Sequence, residues 1–361
     1  MDRIKQIYAL ALADFRERTR RYSFLVTLLG AVFFGYLVAT GKWTIHLGQY
    51  RGEYNSAWVG SLMASGSAIM LGIIGFYLVK NSITRDRNTR VGEILAATPL
   101  GKWSYVISKW LSNFAVLALM TLILAVAAVA MQLLIGDTSG FDLWALVAPF
   151  FFICLPVMAL TAAMAVLFES IRWLRGTVGN ILYLFLAEFA FLNSLLLNTP
   201  FMDFSGLGAM LPSMEAAALA AYPGADLGFE IGFLGFVPEA ADKPMNLFTW
   251  NGLDWSIQML PLRLLWLVWA AGVTAVAAIC FDRFDPARSS RRKSRRKSRK
   301  WRKKTAEVST VPEPVSAPRC GWSDLAAVRT GFSIFGMIRA ELRLMLKGRH
   351  MLWYAVLAGL I

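Results

Sequence analysis

The residues that could do chemistry in this 361-residue chain are few and scattered. Its two histidines, His46 and His350, lie far apart, and no acid, base or nucleophile cluster accompanies either of them. Gly101-Lys102 is followed by Trp103 and lacks the earlier glycine of a phosphate-binding loop. The cysteines are too dispersed to indicate a disulfide framework or a zinc site: Cys154, Cys280 and Cys320. The sequence therefore predicts no catalytic residue, no metal and no cofactor.

Charged residues are instead concentrated in the segment 80–110, between two long apolar runs. Within it, Val91, Ile94 and Leu95 fall on one face of a predicted helix, and the nearby charged side chains lie away from that face. The central part of the segment reads Asp86-Arg87-Asn88-Thr89-Arg90-Val91-Gly92-Glu93-Ile94-Leu95-Ala96-Ala97-Thr98-Pro99-Leu100-Gly101-Lys102.

The same segment contains signals for where its helices begin and end. Pro99 and Gly101 predict the end of the first helix, and a second helix is predicted to start near Ser104 and continue through Lys109. A short charged helix held between two membrane spans is a good docking surface for a soluble partner, because motion of that partner would be transmitted to both spans.

The elements that must position this segment are predicted from composition. The chain is 57% hydrophobic and only 17% charged, which places it outside the range of soluble globular domains. About 20 apolar residues are needed to cross the roughly 30 Å of hydrocarbon as a helix. Six runs are long enough: Tyr22–Ala39, Ala57–Val79, Leu111–Ile135, Leu143–Phe168, Val178–Leu197 and Met259–Phe281.

These runs predict an all-α polytopic integral membrane protein with six transmembrane helices. Pro149 and Pro156 are predicted to kink the fourth helix. A seventh run, Met351–Ile361, contains too few residues to cross and is predicted to be a truncated span. Six Lys or Arg residues precede the first run and six follow the second, whereas the connections after the first, third and fifth runs hold few. This asymmetry predicts that the N-terminus and the segment 80–110 are cytoplasmic.

The regions outside the spans have distinct compositions. Residues 1–21 are predicted to form an interfacial amphipathic helix, with a charged extension of the first span as the alternative. Its apolar stripe consists of Ile4, Ile7, Tyr8, Ala11, Leu12 and Phe15. Residues 22–281 form the predicted six-helix domain. Its extracellular segment 198–258 contains Met214–Tyr222, which predicts a short helix that rests on the outer leaflet or re-enters it.

The remaining residues are predicted to form a linker and an incomplete repeat. Residues 282–333 are basic and Pro-rich, which favours a solvated tether over binding of anionic lipid, with nucleic-acid binding least favoured. Residues 334–361 resemble the start of a second copy of the unit, since Ala340-Glu341-Leu342-Arg343 is similar to Ala13-Asp14-Phe15-Arg16.

Two polar residues in the fifth run are candidates for a substrate pathway. Glu188 lies about midway along the run, and Asn180 is about two turns earlier. A carboxylate at that depth usually faces protein or water. It could line a polar track, pair across the contact between two halves, or simply be hydrogen-bonded within the bundle. Arg263, near the outer end of the sixth run, is expected to extend to the lipid head groups.

The order of these elements resembles the permease subunit of exporter-type (type-2) ABC transporters. The resemblance covers residues 1 to about 281 by architecture, and its sequence-specific part is confined to about 86–109. It implies that Glu93 belongs to a coupling helix that enters a cleft on the ATPase and that Pro99 ends this helix. Ser108 stands where the family often has Gly. The implied ATPase-coupling residues are Asp86, Arg87, Arg90, Gly92, Glu93, Pro99 and Lys109.

The resemblance implies a non-enzymatic permease in a bacterial plasma membrane, driven by ATP hydrolysis on a separate chain. The expected cargo is lipidic or amphipathic and is exported. The expected partners are an ABC ATPase subunit, a second permease half or copy, and membrane lipids, without nucleic acid. The alternative is a membrane scaffold or sensor that recruits cytosolic partners without transport. An integral-membrane enzyme is the least favoured class.

Overall fold

The computed structural model describes residues 3–135, 140–196, 202–227, 229–233, 245–255, 259–282 and 284. Apart from residues 282 and 284, the predicted linker 282–333 and the predicted second repeat 334–361 lie outside the described residues.

Helices account for most of the described chain. Their bounds are α1 (Arg3–Thr19), α2 (Tyr22–Ala39), α3 (Ser56–Val79), α4 (Ser82–Asn88), α5 (Val91–Ala97), α6 (Lys102–Ile135), α7 (Leu143–Pro149), a π-helical turn (Phe150–Cys154), α8 (Leu155–Ser170), α9 (Thr177–Leu196), α10 (Leu207–Ala221) and α11 (Met259–Cys280).

Six helical segments in the described part of the chain are long and apolar enough to cross a membrane. They are α2, α3, α6, the continuous segment formed by α7 and α8, α9, and α11. Five of the six predicted runs agree with these helices to within about two residues at both ends. The exception is the third run, since α6 begins nine residues before its predicted start. The prediction of an all-α polytopic membrane protein is confirmed.

The fourth span, where a kink was predicted, contains a π-helical turn between its two prolines. Pro149 is the last residue of α7, and the chain then makes a π-helical turn, Phe150–Cys154, before α8 begins. Pro149 has no backbone N–H, so it removes one hydrogen bond from the helical ladder. Pro156 sits in the first turn of α8, where a missing N–H is tolerated.

A small β-sheet caps one end of the bundle, and we call this the sheet end. The sheet has the strand order β3-β1-β2-β4, in which β1 pairs antiparallel with β2 and β3, and β2 pairs parallel with β4. The opposite end carries α4 and α5, and we call it the α5 end. The strands are β1 (Trp43–Leu47), β2 (Tyr50–Gly52), β3 (Phe229–Phe233) and β4 (Asn246–Phe248).

The predicted short helix in the segment 198–258 is present but longer, and it packs into the bundle. It is α10, and its Met210 side chain lies 3.2 Å from the Ser65 hydroxyl of α3. Ser65 is nine residues into α3, which corresponds to roughly 14 Å along the helix. A Cβ atom on Gly72, farther along α3, would lie 3.8 Å from the Phe204 ring. The chain therefore re-enters the bundle between residues 202 and 221.

The expectation that Arg263 extends to the head groups is wrong. Its side chain is only 6% exposed, and one guanidinium nitrogen lies 2.8 Å from Asp203 Oδ2. Asp203 in turn accepts hydrogen bonds from the backbone N–H groups of Gly208 and Ala209, at the start of α10. A buried arginine needs a partner of opposite charge. The re-entrant segment supplies that partner, and the composition of the sixth span alone could not reveal it.

Candidate functional site

The charged segment 80–90 folds into α4 because two residues adopt a left-handed conformation. Asn81, between α3 and α4, has φ +78°, and Arg90, between α4 and α5, has φ +61°. Each of these positions ends one helix and allows the next to start in a new direction. Pro99 and Gly101 separate α5 from α6, as the sequence predicts.

A buried carboxylate from α8 holds the start of α4. Glu169 accepts hydrogen bonds from the backbone N–H groups of Ser82 (2.9 Å), Ile83 (2.6 Å) and Thr84 (2.9 Å). Its side chain is fully buried. The first N–H groups of a helix lack intrahelical partners and carry partial positive charge, so a carboxylate placed there both satisfies them and is stabilised. Glu169 therefore fixes α4 to the end of the fourth span.

Lys109 of α6 connects two further elements. Its Nζ lies 2.5 Å from Asp14 Oδ2 of α1 and 2.6 Å from Asp86 Oδ2 of α4. The Tyr105 hydroxyl donates to the same Asp86 oxygen at 2.7 Å. The Lys109 side chain is 3% exposed and that of Asp86 is 5% exposed, so both charges depend on these contacts.

Arg85 extends this cluster toward solvent. Its guanidinium lies 2.8 Å from Asp14 Oδ1 and also pairs with Glu17 of α1. The result is a continuous set of alternating charges that joins α1, α4 and α6. We call this set the ionic network: Asp14, Glu17, Arg85, Asp86 and Lys109.

Arg18 makes a second connection from α1 into the bundle. Its guanidinium donates to the backbone oxygen of Val79, the last residue of α3, at 2.9 Å. Burial lowers the pKa of Arg18, and the nearby charges of Asp14 and Glu169 oppose that shift. The C-terminal carbonyls of a helix attract cations, so Arg18 ties α1 to the end of α3.

The inner face of α5 packs on aromatic side chains near the end of α11. A Cβ atom on Gly92 would lie 2.5 Å from the Phe284 ring, so only glycine fits there without rearrangement. Leu95 packs against the same cluster of apolar residues. Within it, the Tyr105 ring stacks on Phe281 with centroids 5.1 Å apart. The inner face of α5 thus contacts both α6 and the end of the sixth span.

The outer face of α5 is exposed and amphipathic. Ile94 is 68% exposed and Val91 is 42% exposed, although both are apolar. Charged side chains surround them and are also exposed. Exposed apolar residues that lie together and are rimmed by charge are typical of a protein interaction site. We call this surface the α5 outer face: Arg90, Val91, Glu93 and Ile94. Arg87 of α4 is also exposed, but its guanidinium lies 5.7 Å from the centre of the Phe284 ring, beside the inner face.

The structure divides the predicted coupling residues into two groups. Arg87, Arg90, Glu93 and Pro99 are exposed, whereas the remaining three are buried and hold the segment in place: Asp86, Gly92 and Lys109. Sequence reasoning missed Asp14, Arg18 and Glu169 as members of this site. The available signals were an acid within the apolar stripe of the N-terminal helix and an acid directly after the fourth apolar run.

The two predicted pathway residues lie in different surroundings. The Asn180 side-chain oxygen accepts a hydrogen bond from Lys80 Nζ at 2.6 Å, in a contact between α9 and the end of α3. The Tyr77 hydroxyl donates to the Asn180 backbone oxygen at 2.8 Å. Glu188 is exposed, farther along α9. The structure does not bring Asn180 and Glu188 together.

The site is built to hold a segment in position. Among the described residues, no group of three His, Cys, Asp or Glu side chains is arranged to hold a metal ion. The charges that are present pair with one another or cap helices. What the geometry provides is an exposed helix whose inner side contacts several membrane spans.

These features define a multi-pass α-helical membrane protein with a short exposed helix braced against its spans. The chain belongs to the ABC-2 family of transporter proteins, since the model of that family (ABC-2 family transporter protein) matches residues 8–198, more than half of the chain. The match begins within α1 and includes the ionic network and α5. No curated protein matches the chain. The family assignment confirms the resemblance to an ABC transporter permease, a membrane transport component that is not itself catalytic.

Proposed function

We propose that this chain is the transmembrane permease subunit of an ABC transporter and that α5 is the element through which an ATPase on a separate chain drives it. The observation that carries the proposal is the contrast between the two faces of α5. Ile94 and Glu93 are exposed on the outer face, while Gly92 and Leu95 on the inner face pack on the bundle.

The contacts of the segment 80–101 support a mechanical role. Glu169 joins α4 to the fourth span, Lys109 joins α4 to α1 and the third span, and Phe284 joins α5 to the end of the sixth. Packed interfaces of this kind switch between discrete arrangements and do not deform continuously. A displacement of α5 by the ATPase would therefore move the ends of several spans together.

The distribution of basic residues supports the orientation. The connections at the α5 end carry most of the Lys and Arg residues near the spans, and such connections remain cytoplasmic. The α5 end then faces the compartment that supplies ATP, and the sheet end faces outward. Transport of a lipidic or amphipathic cargo toward the sheet end is the direction we propose.

A second permease copy is the partner that we propose for the outer side of α9. Glu188 lies about midway along this span and is exposed there, next to Leu184 and Phe185, which are 40% and 68% exposed. A carboxylate at that depth usually faces protein or water, because its contact with lipid is costly. A second copy packed on this face would cover Glu188 and complete a pathway between two halves.

Cysteine cross-linking tests the second copy. In the full chain with Cys154, Cys280 and Cys320 replaced by Ala, Glu188→Cys is expected to give a covalent dimer in membranes. Ala190→Cys, two positions along α9 on the side that lines a cavity, is the matched control and should give none. A dimer from Ala190→Cys without one from Glu188→Cys would place the partner elsewhere.

Purification tests the proposed function itself. The tagged full chain, extracted from its native membrane in mild detergent, is expected to retain a protein with nucleotide-binding motifs and to hydrolyse ATP. If a membrane scaffold or sensor is the better description, the chain will instead bring down partners without a nucleotide site. A preparation that retains its partner proteins but does not hydrolyse ATP would contradict the permease assignment.

A further inference from the structure

A cavity of about 270 Å³ lies inside the single chain, between α3, α8, α9 and α11. Its lining includes Val157, Leu160 and Met164 of α8 on one side, and Ala187 and Ala190 of α9 on the other. It belongs to neither the ionic network nor the α5 outer face. Space of this size inside a packed bundle is unusual, because protein interiors are generally close-packed.

The wall of the cavity is almost entirely hydrocarbon. Its polar groups include the Tyr183 hydroxyl, which donates to the Gly72 backbone oxygen at 2.6 Å and also bonds to the Thr161 side chain. Tyr183 and Thr161 are thus engaged with the protein, whereas the Nε1 donor of Trp266, another lining residue, has no hydrogen-bond partner among the described residues. A bound water needs two to four polar partners, so a wall with one such donor still favours an apolar occupant.

The height of the cavity is about half the thickness of the hydrocarbon core. Along α9 its lining runs from Tyr183 to Asn193, a rise of ten residue steps, which corresponds to about 15 Å at 1.5 Å per residue. Half of the roughly 30 Å hydrocarbon core is also about 15 Å. On α3 the lining residues Gly72 and Ile73 lie in the half of the helix nearer the α5 end, and Phe204 of the re-entrant segment reaches Gly72. The cavity therefore extends along the middle of the bundle, over a length that one acyl chain can fill.

The cavity opens sideways to the surface of the bundle. Leu186 and Phe189 of α9 and Trp269 of α11 line it and are also 40–62% exposed. On α9, Leu186 of this opening lies about 200° around the helix from Glu188, whereas Phe189 lies about 100° from it. A second copy centred on Glu188 leaves the side of the opening formed by Leu186 and Trp269 facing lipid.

We propose that this cavity binds one acyl chain of a resident membrane lipid. The apolar wall, the height of half the hydrocarbon core and the lateral opening match an alkyl chain in polarity, length and route of entry. The chain completes the packing between α9 and α11. This inference does not depend on the proposed transport function.

Photo-cross-linking tests the proposal with a phosphatidylcholine that carries a diazirine in the middle of one acyl chain. The full chain is reconstituted in nanodiscs that contain this lipid, irradiated and digested, and labelled residues are identified by mass spectrometry. Labelling is expected at Leu160 and Met164, which an acyl chain reaches through the opening between α9 and α11. Ala190→Trp fills the cavity and should lower this labelling about tenfold, because no space is left for a chain.

Leu184→Trp is the matched control, since Leu184 is on α9 but does not line the cavity. It should leave the labelling of α8 unchanged. Ala187→Phe fills the same cavity from a neighbouring position and replaces Ala190→Trp if that variant is not monodisperse. Equal labelling of α8 in filled and unfilled variants, or labels spread evenly over the lipid-facing residues, would overturn the proposal. If the complex is allowed to hydrolyse ATP before irradiation and the labelling is then lost, the lipid is a transported cargo. That result would also overturn the proposal of a resident lipid.

Discussion

Glu93→Lys is expected to abolish stable binding of the proposed ATPase while leaving the permease folded. Glu93 is exposed on the α5 outer face, beside Ile94, so a partner seated there would contact it. Reversing a charge that is buried in an interface costs about 2–5 kcal/mol of binding free energy, which exceeds a tenfold loss of affinity. Because the Glu93 side chain is exposed when the permease is alone, the thermal unfolding midpoint of the permease should change little. Co-purification and the thermal unfolding midpoint are the measurements.

Glu215→Lys is the matched control for Glu93→Lys. It makes the same charge reversal on α10, which lies at the sheet end of the bundle. This variant should bind the ATPase as the unmodified chain does. If Glu93→Lys binds and supports transport normally, or if Glu215→Lys releases the ATPase, the α5 outer face is not the docking surface.

Lys109→Met is expected to have the largest effect on the folded state. The change removes the only cation within 2.6 Å of both Asp14 and Asp86 among the described residues. Arg85 then remains as the cation that the two nearly buried carboxylates share, at 2.8 Å from Asp14 and 3.4 Å from Asp86. Removing one partner of a buried ion pair typically costs about 3–5 kcal/mol, so the unfolding midpoint should fall and ATP hydrolysis should no longer drive transport. Thermal unfolding in detergent and transport in reconstituted vesicles measure the two effects.

Two further variants distinguish the loss of the ionic network from a general effect of removing a positive charge. Lys102→Met makes the same chemical change at the first residue of α6 and should be close to neutral. Adding Asp86→Asn to Lys109→Met removes one of the two carboxylates and should recover part of the lost stability, as expected for coupled residues. Additive destabilisation in the double variant would show that Lys109 and Asp86 act independently, contrary to the observed contact.

The membrane spans could be predicted because each one depends mainly on its own composition. An apolar run must form a helix in the bilayer, since every backbone polar group needs a partner within the segment. The irregularity of the fourth span was equally local, because Pro149 and Pro156 act through their own backbone. The C-terminal end of α5 was also predictable, from Pro99 and Gly101, but the division of the segment into α4 and α5 at Arg90 was not.

The sheet and the ionic network could not be predicted in the same way, because they join residues that are far apart in the chain. The strand Trp43–Leu47 pairs with Phe229–Phe233. Apolar residues occupy every second position in both, but each stretch is only five residues long and the two are far apart in the chain. Lys109 and Asp14 are separated by 95 positions. The buried Arg263 was misjudged for a related reason, since its partner Asp203 belongs to a segment whose re-entry is a tertiary feature.

The site shows the same division between local and long-range information. Sequence patterns identified the segment 80–110 and its charged residues, but not which of them were exposed. Glu93 and Ile94 are on the surface, whereas Asp86 and Lys109 are internal. That difference follows from the contacts of α1 and α8 with this segment. It separates the residues proposed to touch the ATPase from those that hold the segment against the spans.

The most direct test is a photo-cross-link from the α5 outer face in intact membranes. Benzoylphenylalanine replaces Ile94, and in a second preparation it replaces Leu247, an exposed residue of β4 at the sheet end. We expect irradiation to join position 94, and not position 247, to a nucleotide-binding ATPase chain. Absence of such an adduct at position 94 in a complex that hydrolyses ATP, or its appearance at position 247, would contradict the seating of α5 in the ATPase.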